Sequence, residues 1–275
     1  MDFTLEDLKD YTYIEILGIL IDFLRICILR ILSIGPIPRH MAFIMDGNRR
    51  FAKRRNLRQG AGHRVGFLAL LSTLKYCHEL GVRYVTVYAF ALDNFKRRPE
   101  EVDSVMELLE EKSLELLDEE NMLNRYGIKV QYMGNLHLLS ESTRTAVEKA
   151  MKATAKNDKT ILSICVAYSS TDEIVHATEE VYHEKKSKKS SWNIQPADLE
   201  KHMYMGGIPD PEILIRTSGE TRLSNFLLWQ TTFSYLDSPS VLWPGISVWT
   251  LLWVILNYQR AQPYLRKKMK YIMDI

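Results

Sequence analysis

HMAFIMDGNRRFAKRR, residues 40–55, decides the fold. Its first six residues form a short apolar run, the pattern of a strand buried on both faces. The run stops at Asp46-Gly47-Asn48, a turn cluster, and basic side chains follow it. Upstream, Gly35-Pro36-Ile37-Pro38 marks the start of a globular part. Downstream, a helical pattern runs from Gly62 to Leu80 and ends at Gly81. Val82–Phe90 alternates β-branched and aromatic residues as a strand does. Pro99–Asn124 reads as one long acidic amphipathic helix, and Ile128–Met133 as a strand. Ser140–Lys156 is a helix, Thr160–Ala167 a strand and Asp172–Lys185 a helix. Lys185–Ser191 reads as a solvated basic loop and Glu212–Ile215 as a short strand. Gly245–Tyr271 is a last helix, expected to bend at Pro263. Strands and helices alternate with short links. This predicts an α/β protein with a single, mostly parallel central sheet flanked by helices. Ligands of such sheets bind beyond the carboxyl ends of the strands.

Composition narrows the class. The 275 residues are 46% hydrophobic and 25% charged, which excludes disordered, collagen-like and all-membrane chains. Thirty-six basic and 34 acidic residues nearly cancel, so nothing pulls the whole chain towards nucleic acid and any anion site must be local. Cys27, Cys77 and Cys165 are far apart and lack CxxC spacing, which argues against a disulfide framework or a zinc site.

Residues 13–34, YIEILGILIDFLRICILRILSI, are apolar but interrupted by Glu15, Asp22, Arg25 and Arg30. At helical spacing these four fall within an arc of roughly 140°. A spanning helix would bury all four, at about 2.5–3.5 kcal/mol each near the bilayer centre. An amphipathic helix lying on a membrane or on a partner avoids that cost. Residues 1–35 are therefore expected to form such a helix, and 36–275 the globular domain.

The strand ends carry the chemistry. After the first strand, Gly47 permits a tight turn, and Arg49, Arg50, Lys53, Arg54 and Arg55 supply positive charge. Backbone N–H groups opening the next helix can point at an anion. Asp46 is out of place in a pure phosphate cradle unless it holds a metal or a proton, and Mg2+ with a diphosphate suits the group. A solvated turn with a basic helix start is the competing reading. After the second strand stands Asp93-Asn94-Phe95-Lys96-Arg97-Arg98-Pro99, again an acid, an amide and guanidiniums. After the later strand, Arg216-Thr217-Ser218-Gly219-Glu220-Thr221-Arg222-Leu223-Ser224 offers a second anion pocket. Gly60-Ala61-Gly62-His63-Arg64-Val65-Gly66 nearly spells a dinucleotide fingerprint, but its third glycine is one position late and no strand precedes it. His63 could instead be a phosphate donor beside the basic loop. No GxxxxGK[ST] loop occurs. Trp243, Trp249 and Trp253 are read as core or interface residues.

MDGNRRFAK (45–53), GHRVG (62–66), YAFALDNFKRRPEEV (88–102), PDPEILIRTSGETRLSNFLLWQ (209–230) and LWP (242–244) together resemble the cis-prenyltransferase (undecaprenyl diphosphate synthase) family. The likeness covers about residues 36–260 and is strongest to eukaryotic, especially plant, dehydrodolichyl diphosphate synthases and rubber-type subunits. The resemblance implies a Mg2+-dependent transferase that condenses isopentenyl diphosphate onto an allylic diphosphate such as farnesyl diphosphate. Its product would be a long-chain polyprenyl diphosphate, a dolichol precursor, growing along an apolar tunnel between sheet and helices. By position, Asp46 would handle Mg2+ and diphosphate ionisation. Gly47, Asn48, Arg49, Arg50 and Arg97 would bind the allylic diphosphate. Asn94 and His63 would sit at the reacting centre, and Arg216, Arg222 and Ser224 would bind isopentenyl diphosphate.

The chain departs from bacterial members in places. Tyr235 stands where they carry a metal-binding glutamate, Arg49 where they carry glycine, Gln59 where they carry arginine, and Ala91 where they carry serine. They end in an Arg-x-Gly tail that completes a neighbour's site, whereas this sequence ends KKMKYIMDI. Eukaryotic catalytic subunits share that difference and rely on an inactive homologous partner of the Nogo-B-receptor type. The resemblance thus implies a heteromeric enzyme, poorly active alone, on the cytosolic face of the endoplasmic reticulum membrane. The alternatives are a rubber-type cis-polyisoprene synthase subunit, a non-catalytic accessory subunit and a self-sufficient short-chain enzyme. The intact Asp-Gly-Asn and Arg-Thr-Ser-Gly motifs argue against the accessory role.

Overall fold

The computed structural model describes residues 18–20, 23–24, 27–28, 30–58, 60–118, 120–188 and 193–273. Glu15, Asp22 and Arg25 of the N-terminal arc, Gln59 and the end of the 185–191 segment lie outside the described residues. The elements run β1 (His40–Ile44), α1 (Asn48–Arg54), α2 (Ala61–Glu79), β2 (Tyr84–Ala91), a 3-10 turn (Leu92–Lys96), α3 (Pro99–Glu115), α4 (Met122–Arg125) and β3 (Ile128–Met133). Then come α5 (Glu141–Ala153), β4 (Thr160–Tyr168), α6 (Ser170–Lys188), α7 (Pro196–His202), β5 (Ile213–Arg216), β6 (Tyr235–Asp237) and α8 (Val248–Met273).

The six strands form one sheet in the order β3-β4-β2-β1-β5-β6, and every pairing is parallel. Every residue of β1 and β5 is buried, as expected for strands covered on both faces. One core cluster joins Met41, Phe43, Val85 and Val87 to Leu70 and Leu74 of α2 and to Leu251 and Ile255 of α8. A second, on the other face, gathers Ala42, Ile44, Tyr88, Tyr168 and Phe226. From β1 the chain builds towards β2 and β4, and it returns only with β5 to the opposite side. The crevice at the carboxyl ends of β1 and β5 is therefore the switch point of the sheet. There Ile44 stands in register with Arg216.

Several boundaries differ from the sequence reading. The helix expected over 99–124 stops at Glu115 and resumes as the short α4. Side-chain amides take over the carbonyls at the break. Asn121 Nδ2 donates to Glu115 O at 3.1 Å, and Asn124 Nδ2 to Leu116 O at 3.1 Å and Asp118 O at 2.8 Å. Asn121 then caps α4 by accepting from Leu123 N. The basic loop expected from Lys185 is helical through Lys188. Lys185 is anchored there by Asn193 O at 3.0 Å and Asp198 at 2.9 Å. The second strand starts at Tyr84, because Val82 N still closes the end of α2 onto Cys77 O. Pro263 lies inside α8. Among the described residues, no helix is long and apolar enough to cross a membrane.

Candidate active site

Asp46 leaves β1 at the switch point, and three side chains address its carboxylate. Arg216 Nη2 donates to Oδ2 at 2.8 Å, Arg50 Nη2 to Oδ1 at 3.2 Å, and Arg222 Nη2 lies 3.9 Å from Oδ2. Its backbone carbonyl is held as firmly, by Thr217 Oγ1 at 2.6 Å, Ser218 Oγ at 2.7 Å and Trp243 N at 2.9 Å. Burial pushes the Asp46 pKa up, but the hydrogen bonds from Arg216 and Arg50 outweigh it and hold the group below its ordinary value. The carboxylate is thus ionised and aimed.

Arg216 is buried at the end of β5, and its fork also reaches Arg222 O at 2.5 Å and Ser224 Oγ at 2.6 Å. It shapes the loop that carries the exposed Arg222 and Ser224. Ser218, Ser224, Asn225 and Leu227 all have positive φ, so this loop is conformationally costly and is held by its contacts. Tyr88 supports it from beneath, stacking on Phe226 and donating to Tyr168 O and Ser224 O.

Gly47 has φ 121°, and a Cβ there would stand 2.7 Å from Ser218 Oγ and 2.9 Å from Trp243 N. The turn therefore requires glycine. The near-fingerprint glycines serve packing. A Cβ on Gly62 would lie 2.5 Å from Asn48 O, and one on Gly66 would collide with Asn48 Oδ1. Their absence of side chains lets α2 cross close to α1. Trp243 is buried and donates to Gly66 O at 2.9 Å, tying the LWP segment to the same corner. Trp249 and Trp253, by contrast, are exposed.

Asn48 donates Nδ2 to Met45 O at 3.3 Å, and its buried Oδ1 has no partner. It faces the turn and α2. His63, on the first turn of α2, has its pKa lowered by burial and then by the charges of Arg97 and Arg49. Those effects keep its imidazole neutral. Burial and Arg49 also lower the Arg97 pKa, while Glu101 and Asp46 act on it in the opposite direction. Asn94 Oδ1 accepts from Ala91 N at 3.2 Å, which fixes the turn after β2.

Asp46, Arg50, Arg216, Arg222 and Ser224 thus form one contact network, and Arg49, His63 and Arg97 form an adjoining electrostatic group. Asp93 does not join them. It is exposed and pairs with Lys96 at 2.7 Å. Two carboxylates passed over in the sequence do belong here. Glu220 pairs with Arg222 and lies 3.6 Å from Arg50, and Glu101 lies 3.3 Å from Arg49. Glu220 was within the quoted motif, but only the loop's fold turns it towards α1. Tyr235 sits on β6 and donates to Asp237 Oδ2 at 3.3 Å.

The family model described as undecaprenyl diphosphate synthase matches residues 44–265, the stretch that contains both arginine loops. The chain belongs to this cis-prenyltransferase family. It is 53% identical over 270 residues to a dehydrodolichyl diphosphate synthase of Solanum lycopersicum, covering 90% of this chain and 93% of that one. A rubber cis-polyprenyltransferase of Hevea brasiliensis is 49% identical, with 88% and 91% covered. A dehydrodolichyl diphosphate synthase complex subunit of Homo sapiens is 42% identical, with 86% and 72% covered. Among solved structures, lavandulyl diphosphate synthase of Lavandula x intermedia in complex with dimethylallyl diphosphate superposes with TM-score 0.75 at 28% identity, over 81% of this chain and 95% of that one. As in other cis-prenyltransferases of known fold, the central sheet is single and flanked by helices.

Proposed function

We propose that this cis-prenyltransferase condenses isopentenyl diphosphate onto an allylic diphosphate, farnesyl diphosphate among them, and extends it to long-chain dehydrodolichyl diphosphate. The observation that carries this reading is the fixed carboxylate of Asp46 between Arg50 of the first motif and Arg216 of the second. Two arginine-bearing loops converge on one acid, as two diphosphate subsites sharing a reaction centre require.

The chain's own groups have clear tasks in that reaction. Arg49, Arg50 and Arg97, with the backbone opening α1 at Gly47 and Asn48, bind the allylic diphosphate. Arg222 and Ser224, positioned by Arg216, bind isopentenyl diphosphate. The allylic C1–O bond breaks, and negative charge collects on the departing diphosphate where guanidiniums already stand. The alkene of isopentenyl diphosphate forms the new C–C bond to that carbon, and loss of a proton from its C2 leaves the cis double bond. His63 and Asn94 line the reacting centre, and the neutral imidazole offers a lone pair that can accept the departing proton and pass it on.

The donor set fits Mg2+ in a limited way. No group of three or more His, Cys, Asp or Glu that could hold a metal occurs among the described residues. Mg2+ commonly takes only one or two carboxylates plus substrate phosphates, so Asp46 is the residue that would hold it. When bound, the ion would neutralise diphosphate charge.

The growing chain would run between α2 and α3. Phe67, Leu71, Val102, Val105, Met106 and Leu109 there are only partly buried, which leaves apolar surface for a polyprenyl tail. We place the enzyme at the cytosolic face of the endoplasmic reticulum. Ile19, Leu20, Phe23 and Leu24 are exposed apolar side chains suited to contact a membrane there. A Nogo-B-receptor-like accessory subunit is proposed from the likeness to a human protein named as a complex subunit and from Tyr235 at the position of the bacterial metal glutamate.

Incorporation of labelled isopentenyl diphosphate, with farnesyl diphosphate and Mg2+, tests the reading. The chain is assayed alone and with such a partner in membranes, beside Asp46→Ala. Activity with the partner, lost in the variant, supports it. Absence of incorporation by a folded protein with every partner tried refutes it. Chromatography of the product separates dolichol-length from rubber-length chains.

A further inference from the structure

The outer face of α8 sets exposed aromatic rings among basic side chains. The inner face buries Leu251, Val254, Ile255 and Tyr258 against the sheet. Opposite them, Trp249, Trp253, Arg260, Tyr264, Lys267 and Tyr271 recur at helical spacing and are all exposed. The four aromatics of this stripe are 62%, 60%, 68% and 72% exposed, in chain order. At about 1.5 Å per residue, the stripe is roughly 33 Å long. The same helix holds Arg260, Arg266, Lys267, Lys268 and Lys270 and no acidic residue, in a chain whose formal net charge is only +2.

We propose that the Trp-Tyr-basic stripe of α8 is a contact surface for an anionic lipid bilayer, with the helix lying along the membrane plane. The charge is complementary to such a surface. Tryptophan and tyrosine favour the boundary between headgroups and acyl chains, where a ring is apolar and its polar tip remains wet. Lys267 lies within the stripe and Lys268 and Lys270 flank it, and lysine is poor material for the core of a protein interface. On a bilayer their stems lie along apolar surface while the charges stay at the headgroups. The helix does not qualify as a span. Its flank is continuous with more apolar surface. Gln259 Nε2 donates to Leu32 O at 2.9 Å, which seats the end of the N-terminal segment against α8 and leaves Ile31 and Ile34 exposed beside it. The inference goes beyond the prenyl-transfer reading and stands independently of it.

Flotation of the full-length protein with phosphatidylcholine vesicles, with and without about 30 mol% phosphatidylserine, tests the proposal. Residues 1–35 contain no tryptophan, so quenching of tryptophan fluorescence by brominated lipids cannot come from the N-terminal segment, and the part of it lost in Trp249→Phe/Trp253→Phe belongs to α8. The expected results are binding to the anionic vesicles, quenching by bromolipid, and loss of most of that quenching in Trp249→Phe/Trp253→Phe. Arg260→Glu/Lys267→Glu should weaken binding by about tenfold or more. These side chains are exposed, and circular dichroism confirms folding of each variant. Vesicle binding without bromolipid quenching would overturn the proposal, since the N-terminal segment would then suffice. No binding to anionic vesicles would overturn it too. So would self-association in solution that Trp249→Phe/Trp253→Phe and the charge reversal abolish without changing vesicle binding, which would assign the face to a protein.

Discussion

Arg216 holds Asp46 from the neighbouring strand, Nη2 to Oδ2 at 2.8 Å, although the two stand 170 positions apart in the chain. The same guanidinium holds Ser224 Oγ and Arg222 O. One buried side chain therefore positions the acid of one loop and the cation of the other.

Arg216→Lys should be far from conservative. An ammonium keeps the charge but cannot address three acceptors in a fixed fork. Steady-state kinetics should show a raised KM for isopentenyl diphosphate and kcat lower by about 100-fold or more. Denaturation should show a loss of about 2–4 kcal/mol, from unpaired groups left in a buried place.

Asp46→Asn should leave the fold intact and remove activity by at least about 100-fold. The amide keeps the shape but presents donors to Arg50 and Arg216. Near-native urea denaturation with near-native activity would contradict the role given to the carboxylate.

In the pH–activity profile, the step of the acid limb that belongs to Asp46 should lie below the ordinary carboxylate range, because its donors hold it down. Arg50→Ala removes one of them. The limb should then move to higher pH, a direction that a purely structural effect would not produce.

Gly66→Ala and Gly81→Ala should separate packing from backbone freedom. At Gly66 the new methyl meets Asn48 Oδ1, so the Asn48 amide must turn away or α2 must shift from α1, with a loss of about 1–3 kcal/mol and most of the activity. At Gly81, where φ is 81° and nothing lies within 4 Å of the added carbon, the loss should be about 1 kcal/mol and activity should persist.

His40 supplies a pH dependence of stability. It is fully buried between Pro209 O at 2.6 Å and Thr86 Oγ1 at 2.7 Å. Burial lowers its pKa to about 4, although the bond to Pro209 opposes the shift. The unfolded chain, with histidine near 6.5, binds more protons between those two values. Stability should therefore be full above about pH 6.5 and fall progressively towards pH 4, by about 3 kcal/mol. Urea midpoints of the wild type and His40→Asn across that window should show a smaller slope in the variant.

Much of this was legible in the residues, for identifiable reasons. β1 is an unbroken apolar run because the strand is covered on both faces, and its abrupt stop marked Asp46. Arg216 and Arg222 announced themselves as two guanidiniums around a glycine. The short elements gave no such signal. α1 is seven residues with no apolar period, α7 is another seven, and β6 is three residues at a sheet edge. The break after Glu115 depended on two asparagine side chains folding back, which hydrophobic spacing cannot show. Asp93 had the composition of a site residue, yet its backbone position turns it to water. Glu220 was hidden for the reverse reason, since only the positive-φ loop brings it to Arg50.

The order of the strands also has a consequence in time. Asp46 emerges early in synthesis, and its partner Arg216 follows 170 residues later. At about 5–20 residues per second, that is roughly ten to thirty seconds on the ribosome. Throughout that interval the nascent chain can pair β1 with β2 and begin its core, while the acid stands without the cation that aims it. Competence for chemistry arrives late and at once, with the strand that closes the other side of the sheet.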